Sequence, residues 1–244
     1  MIDLYSLHLG PSPNVYKVML LLEELELPYR IIPIDIFNGE QFSAEFLRIC
    51  ENNKVPAIVD HAPADGGPPV RVFESGSIMV YLADNAGRFL PGPSAFRERT
   101  EVLTWTFWQM GGFGPNAGQF GHFAYYAKEK IPYAVNRFTN ELNRLFAVLD
   151  RRLAASPWVG GEDYSIADMI NFASTHDYAM FGFDMAPFPN FLAWHARIKE
   201  RPAYARTYLR TDITRTNPSD AENMTPDQWN LVFAQTAETL TAGR

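Results

Sequence analysis

The sequence contains a single cysteine, Cys50. One thiol cannot form a disulfide within the chain, so a disulfide-stabilised fold is excluded and a reducing compartment is favoured. A redox site built from two cysteines of the protein is excluded for the same reason. Because free cysteine is among the residue types most often buried as small hydrophobes, we interpret Cys50 as structural.

Basic charge and long apolar runs are also scarce. Lysine and arginine number 21 against 28 aspartates and glutamates, and the net charge of −7 argues against a nucleic-acid-binding surface. No apolar run approaches the roughly 20 residues of a membrane helix. The N-terminus, MIDLYSLHLG, has no lysine and no small-residue cleavage site, so we predict no secretory signal. We therefore expect a cytoplasmic protein without nucleic-acid or membrane partners.

Motifs of several common chemistries are missing. The five histidines show no ligand spacing with one another or with Cys50, so we predict no metal site. No Gly-x-Ser-x-Gly motif occurs, which argues against a hydrolase with a nucleophilic serine on such a turn. The Gly66-Gly67 pair lacks the lysine of a phosphate-binding loop, which argues against a nucleotide site.

The first 87 residues alternate strand and helix patterns in an order that predicts a thioredoxin-like α/β domain. Asn14 is our predicted N-cap of the first helix, and Pro33 places the next strand at an edge of the sheet because proline lacks a ladder donor. The predicted elements are a strand at 2–7, a helix at 14–27, an edge strand at 29–35, a short helix at 41–49, antiparallel strands at 55–59 and 70–73, and a helix after Ser75.

Beyond a Gly/Pro-containing link at 88–93, every long segment has a helical period. We therefore predict an all-α domain at 94–210 that follows the first domain at 1–87. Within it we expect a helix at 96–110 stopped by Gly111-Gly112, an irregular segment at 113–126, a long helix from Pro132 and a capping box at Ser165–Asp168.

Residues 211–244 form a predicted C-terminal extension. Thr211 to Asn223 is polar, and Thr225-Pro226 supplies a cap and an N1 proline for a last helix. Trp229, Phe233 and Leu240 would share one apolar face of that helix. Since a short isolated helix is not stable in water, we expect it to dock across the main body or a partner subunit and to narrow the entrance to a site.

The stretch from Asn52 to Asn85 combines two binding features. Val55-Pro56 opens a strand whose edge can pair with an extended backbone. Ser75 precedes an apolar-periodic run, so its hydroxyl can cap a helix whose free N–H groups favour a carboxylate. A strand edge beside such a helix N-terminus is suited to a short peptide.

The order and spacing of these residues resemble the glutathione transferase family. The resemblance implies a cis peptide bond at Pro56, pairing of Val55 with the cysteinyl backbone of glutathione, and binding of the γ-glutamyl end by Glu74 and Ser75. The Ser165-x-x-Asp168 box and the pattern FPNFLAWHARIKERPAYAR at 188–206 are similar to the helical domain of the family, so the resemblance covers about residues 1 to 210. It also implies a homodimer.

The loop before the first helix carries no thiol, so the sulfur for any redox chemistry would come from a ligand, with its thiolate stabilised at the helix N-terminus. Four segments resemble the bacterial Nu class, whose members reduce disulfides with glutathione: Ser12-Pro13-Asn14, Gln41, Asn52-Asn53-Lys54 and Ile131-Pro132-Tyr133. By that resemblance Ser12 would hydrogen-bond the sulfur and Asn14 would contact the same region. Gln41 would bind the glycine end, Lys54 would also bind glutathione, and Arg137 would complete an anionic subsite.

Other interpretations of these residues stay open. Tyr5 competes with Ser12, because some branches of the family use a tyrosine near the end of the first strand. Ser12 also suits an ordinary turn, and Arg137 suits an exposed pair with Glu141 four residues on.

The resemblance implies glutathione-dependent reduction of small disulfides through a bound glutathione thiolate, with transferase or peroxidase side activities. The ligands would be glutathione or glutathione disulfide, together with a small disulfide or electrophile. One alternative is conjugation of glutathione to aromatic electrophiles, suggested by Trp108, Phe113, Phe120 and Tyr125. Another is a non-catalytic glutathione-binding or assembly module, because a fold does not fix a function.

Overall fold

The computed structural model describes residues 1–213 and 223–241, which divide into two compact units. The first unit comprises residues 1–78 with the described residues after 210, and the second comprises residues 79–210. In chain order the elements are β1 (Ile2–Leu7), α1 (Pro13–Leu25), β2 (Tyr29–Ile34), a 3₁₀ turn (Glu40–Phe42), α2 (Ala44–Leu47), β3 (Ala57–Asp60), β4 (Val70–Phe73), α3 (Ser75–Ala86), α4 (Phe96–Trp108), a π turn (Gln109–Phe113), α5 (Gly114–Gly121), a second π turn (His122–Tyr126), α6 (Pro132–Ala155), α7 (Ile166–Thr175), α8 (Pro189–Lys199), α9 (Pro202–Tyr208), α10 (Pro226–Phe233) and α11 (Ala237–Thr241).

A four-stranded mixed sheet organises the first unit. Its strand order is β2-β1-β3-β4, with β1 parallel to β2 and antiparallel to β3, and with β3 antiparallel to β4. Pro33 lies on the edge strand β2, opposite Ser6 of β1. A residue without an N–H is tolerated on an edge strand, which has a neighbouring strand on one side only. The predicted edge strand and the thioredoxin-like order are both confirmed.

A hydrophobic cluster of the first unit contains Cys50, which is 1% exposed, with Ile34, Phe46 and Ala57. Tyr5 packs on this cluster with its ring centroid 5.7 Å from that of Phe46. Burial raises the pKa of the Tyr5 phenol above its ordinary value. Cys50 is therefore a core residue, and Tyr5 is a partly buried residue packed against the same cluster.

The N-terminus of α1 differs from the prediction. The N-cap is Ser12, not Asn14: the helix starts at Pro13 and the Ser12 Oγ accepts from the Val15 N–H at 3.4 Å. Proline fits the first helical position because its fixed φ is helical and no N–H is required there. Asn14 consequently belongs to the first turn of the helix.

The second unit is helical, as predicted, and α7 lies at its centre with a confirmed capping box. The Asp168 carboxylate accepts from the Val159 N–H at 2.8 Å, the Trp194 Nε1–H at 2.9 Å and the Ser165 N–H at 3.0 Å. A Cβ on Gly160 would lie 2.5 Å from the Ser165 Oγ, so this approach requires glycine. Asp168 thus joins α7, α8 and the segment before α7.

The segment after α4 is the main error of the sequence analysis. Helix continues through Gly111-Gly112, first as a π turn, then as α5, then as a second π turn that ends at Tyr126. A Cβ on Gly114 would lie 2.7 Å from the Gln109 Nε2 and 3.1 Å from the Gln109 oxygen, so glycine permits the close approach across the first π turn. The predicted stop and the predicted irregular segment at 113–126 are wrong.

The last helix begins where it was predicted. Thr225 caps α10 in a capping box with Gln228, and the rings of Trp229 and Phe233 lie 5.6 Å apart on one face. The helix ends at Phe233 and the short α11 follows, so the prediction that Leu240 shares one helix with Trp229 and Phe233 is wrong. Most of the polar segment at 211–223, and the side chain of Leu240, lie outside the described residues. Across 1–213 and 223–241, none of the helices has both the length and the apolar composition to span a bilayer.

Candidate functional site

A pocket of about 170 Å³ in the first unit brings together residues from across the sequence. It collects four of the predicted site residues, namely Ser12, Gln41, Lys54 and Val55, from three separate segments. The lining residues are Leu7, Ser12, Ile36, Gln41, Asn53, Lys54, Val55, Val232 and Gln235.

One wall of this pocket is the segment that leads into β3. The peptide bond between Val55 and Pro56 is cis, as the family resemblance implied. Val55 is half-buried and precedes the strand, while Pro56 is buried. Since Val55 lies outside the β3 ladder, its backbone groups can pair with an extended ligand at the end of the strand.

A second wall is the N-terminus of α1. Ser12 is half-buried in the pocket, and the exposed Asn14 lies one residue into the helix beyond Pro13. The Ser12 hydroxyl accepts from the Val15 N–H, so its own proton can be donated to a ligand atom. The helix dipole and these donors together favour an anion such as a thiolate.

Glu74 and Ser75 lie at the start of α3. Glu74 has a φ of 68°, which is unusual for a residue other than glycine, and its Oε1 accepts from the Asn52 Nδ2 at 3.3 Å. Ser75 is buried and is the first residue of α3, so it is not the predicted N-cap; the Glu74 carbonyl accepts from the Ile78 N–H at 2.9 Å. This sharp turn places both side chains at a helix N-terminus, where carboxylates are favoured.

Lys17 was missed by the sequence analysis. It is 1% exposed on α1, and its Nζ donates to the Ser75 Oγ at 3.5 Å. Burial lowers the pKa of Lys17 to about 7, against the opposing effect of the Glu74 charge. A signal was present, because Lys17 precedes Leu21 and Leu25 by multiples of four residues and so falls on the apolar stripe.

Gln41 is 2% exposed and its amide is oriented by two backbone carbonyls. The Nε2 donates to the Ile36 oxygen at 3.3 Å and to the Leu231 oxygen at 3.2 Å. Among the described residues its Oε1 has no hydrogen-bond partner. Gln41 therefore presents an acceptor, suited to a ligand N–H.

The C-terminal segment closes the pocket. Gln235, just after α10, accepts at its Oε1 from the Asn53 Nδ2 at 3.2 Å and from the Lys54 Nζ at 3.2 Å. Val232 adds an apolar side chain to the same wall. The predicted docking of the last helix is thus seen within the first unit, but no local sequence pattern pointed to Gln235.

Arg137 is not a lining residue of this pocket. It lies on α6 of the second unit, with 58% of its side chain exposed and a guanidinium nitrogen 4.0 Å from the Glu141 Oε2. The pairing with Glu141 considered in the sequence analysis is therefore present. Among the residues at 1–213 and 223–241, no group of three or more His, Cys, Asp or Glu could hold a metal ion.

Comparison with protein families decides the identity of this arrangement. The profile described as glutathione S-transferase, N-terminal domain matches residues 3–84, and the profile described as glutathione S-transferase, C-terminal domain matches residues 114–202. The chain belongs to the glutathione S-transferase family.

Individual relatives extend this result. The disulfide-bond oxidoreductase YfcG of Escherichia coli K12 is 49% identical to this glutathione S-transferase family member over 213 residues, which cover 87% of this chain and 97% of the relative. A glutathione transferase family member from Pseudomonas fluorescens, solved with two glutathione molecules bound, is 37% identical with a TM-score of 0.76 and covers 84% of this chain and 91% of its own.

A glutathione transferase from Pseudomonas putida, solved with one glutathione disulfide per subunit, is 36% identical with a TM-score of 0.75. The match covers 84% of this chain and 90% of that chain. The fold is therefore that of glutathione transferases, and the similarity to oxidoreductases of this kind identifies the chain as an enzyme.

Proposed function

We propose that this enzyme reduces small disulfides with glutathione as its electron donor, and that the pocket of the first unit holds the glutathione. The observation that carries the proposal is the pairing of Ser12, at the N-terminus of α1, with Val55, beside cis-Pro56, around one cavity that no cysteine of the protein lines. The bound sulfur must therefore come from the ligand. The name of YfcG and the glutathione in the related structures agree with this assignment.

Within this proposal the pocket and the start of α3, which does not line it, each bind one part of the tripeptide. Val55 pairs with the cysteinyl backbone, and Glu74 and Ser75 at the start of α3 bind the γ-glutamyl end. Lys54 supplies a positive charge for the glycine carboxylate, and Gln41 accepts from a nearby N–H. Arg137 remains a predicted member of an anionic subsite on the strength of the family resemblance alone.

The chemistry begins with ionisation of the glutathione thiol. An unperturbed thiol has a pKa of about 8.5, so only a small fraction is ionised at neutral pH. The N-terminus of α1, the Ser12 hydroxyl and the Asn14 amide all favour the charged form. They therefore raise the fraction of reactive thiolate at neutral pH.

The thiolate attacks one sulfur of the substrate disulfide, a new sulfur–sulfur bond forms, and the other substrate sulfur leaves as a thiolate that takes up a proton. A second glutathione thiolate then attacks the glutathione sulfur of this mixed disulfide. That step releases the remaining substrate thiol and forms glutathione disulfide. Two electrons pass from two glutathione molecules to one substrate disulfide, so no protein thiol is oxidised.

Of the four aromatic residues that suggested conjugation to aromatic electrophiles, Phe113 and Phe120 are buried, whereas Trp108 and Tyr125 are half-buried. Phe113 is 1% exposed and Phe120 is 6% exposed in the second unit. Phe113 packs edge-on to Phe146 with ring centroids 5.2 Å apart. Phe113 and Phe120 are core residues, so we keep disulfide reduction as the proposed function.

The proposal includes a homodimer in the cytoplasm, where reduced glutathione supplies the electrons. On α4, Phe96 and Phe107 are 73% and 61% exposed, an apolar surface of the kind that subunit contacts cover. We assign glutathione binding to the domain at 1–87 and closure of the pocket to the extension at 211–244. We assign a structural role to the all-α domain at 94–210.

Reduction of hydroxyethyl disulfide, coupled to the regeneration of glutathione, tests this proposal. Because a hydrogen bond to a charged group contributes roughly 1.5–3 kcal/mol, Ser12→Ala and Asn14→Ala should each lower kcat/KM roughly ten- to a hundredfold. Cys50→Ala is the matched control and should retain near-native turnover. Loss of turnover in Cys50→Ala, with both α1 variants fully active, would show that the reacting sulfur belongs to the protein.

A further inference from the structure

Both polar atoms of the Gln235 side-chain amide are hydrogen-bonded. Its Nε2 donates to the Leu231 oxygen at 2.8 Å, one turn back in α10, while its Oε1 faces Asn53 and Lys54. This geometry fixes the amide with its oxygen directed at two donors of the pocket wall.

Those two donors form the kind of pair that binds a carboxylate. One is a neutral amide and the other is an ammonium, each 3.2 Å from the same Gln235 oxygen. Partial desolvation lowers the pKa of the Lys54 ammonium below its ordinary value, and a carboxylate beside the ammonium would favour its charged form. A carboxylate oxygen would make a charge-assisted bond at this position, stronger than the bond to an amide oxygen.

We propose that the Gln235 oxygen occupies the place of a ligand carboxylate, and that Gln235 sets the affinity of the enzyme by competing with glutathione for Asn53 and Lys54. This inference rests on the proposed function, since the competing carboxylate is that of the glycine end of glutathione. Both groups carry further N–H donors, so the competition is for position: a carboxylate oxygen can lie between Asn53 and Lys54 only if the Gln235 oxygen leaves that place. Gln235 is thus a residue that determines affinity, built into the wall of the pocket by the C-terminal segment.

Two substitutions of Gln235 separate competition from direct support of the ligand. Gln235→Ala removes the competing oxygen and should tighten glutathione binding roughly three- to tenfold, the equivalent of about one neutral hydrogen bond. Gln235→Glu places a tethered carboxylate beside the Lys54 ammonium and should weaken binding at least about tenfold. Since a folding defect cannot increase affinity, the gain in Gln235→Ala is the decisive result.

The measurement is titration calorimetry of the full chain with reduced glutathione, with Asn230→Ala as the matched control on the exposed face of α10. The control should bind as the wild type does. A second titration uses γ-glutamylcysteine, which lacks the glycine residue and should show less than about a twofold difference among the variants.

Unchanged or weaker binding in Gln235→Ala, with normal binding by the wild type, overturns the inference and leaves the proposed function intact. Unchanged binding in Gln235→Glu overturns it as well. If neither the wild type nor Gln235→Ala binds glutathione, the proposed function fails and this inference fails with it.

Discussion

At the scale of single residues, Lys17 is a buried ammonium group in the first unit, 1% exposed. Burying an ammonium in a hydrophobic helix face costs stability, and here the burial accompanies a hydrogen bond to Ser75 beside the strained Glu74. We interpret this lysine as a positioning residue, since it holds the first side chain of α3 where the γ-glutamyl end of glutathione is proposed to bind. The stability lost at Lys17 is offset by the apolar burial around it.

The titration of Lys17 predicts the pH dependence of stability. The pKa of about 7 in the folded chain lies below the ordinary lysine value of 10.5, so the folded state binds fewer protons than the unfolded state between these values. The penalty of burying the charge is complete below about pH 7 and disappears as pH rises toward 10.5. Relative to Lys17→Met, the wild type should therefore gain stability across this window.

Urea unfolding of the wild type and Lys17→Met at pH 6, 8 and 10 measures this difference. The control is Lys199→Met, whose lysine is exposed on α8. Its difference from wild type should stay constant across the three pH values. A constant difference for Lys17→Met as well would mean that Lys17 keeps its charge in the folded protein at every pH tested.

At the scale of elements, α7 depends on the carboxylate of Asp168. Its Oδ1 accepts from the Val159 N–H and the Trp194 Nε1–H, and its Oδ2 accepts from the N–H and hydroxyl of Ser165. In Asp168→Asn one of these donor pairs must face the new NH₂ group, whichever way the amide turns. We expect a loss of about 3 kcal/mol or more in the free energy of unfolding.

Asp168→Asn should therefore have a lower Tm in thermal unfolding. Its Kd for glutathione should equal that of the wild type. Asp163→Asn is the control, because Asp163 is exposed in the loop before the same helix. An equal Tm for the two variants would show that the buried carboxylate contributes no more than an exposed one.

Elements with a local cause could be predicted from the sequence. Pro33 identified the edge strand, the Ser165–Asp168 and Thr225–Pro226 patterns gave two helix starts, and alternation gave the order of the thioredoxin-like domain. The helix through Gly111-Gly112 could not be predicted, because glycine disfavours helix by propensity. The π turn there depends on a close approach of Gly114 to Gln109 that no local pattern shows.

The candidate site was predictable to a similar degree. Ser12, Gln41, Lys54 and Val55, which the family resemblance named, line one pocket, and their roles in binding stay predictions. Gln235 was not predictable: it meets Lys54 across 181 residues of sequence, and only tertiary structure joins them. The same holds for the Lys17–Ser75 contact, where the sequence showed a lysine on an apolar stripe without its partner.

At the scale of the whole molecule, the second unit has large apolar side chains that are exposed to solvent in the single chain. Phe96 and Phe107 are separated by 11 positions, about three helical turns, so they lie on nearly the same face of α4. Two large exposed aromatic side chains on one helix face are unfavourable in water unless another surface covers them. Contact with a second copy of the chain, related by a two-fold axis, would bury these side chains in both copies.

Sedimentation velocity of the wild type at micromolar concentration should therefore give twice the chain mass of 27.7 kDa. Phe107→Glu should shift the protein to the monomer, because it would place a carboxylate in an apolar contact beside its own copy. Met180→Glu replaces an exposed apolar residue elsewhere in the second unit and should leave the dimer intact, since this position lies outside α4. A wild-type protein that sediments at 27.7 kDa would refute the dimer, and a dimer that withstands Phe107→Glu would remove α4 from the interface.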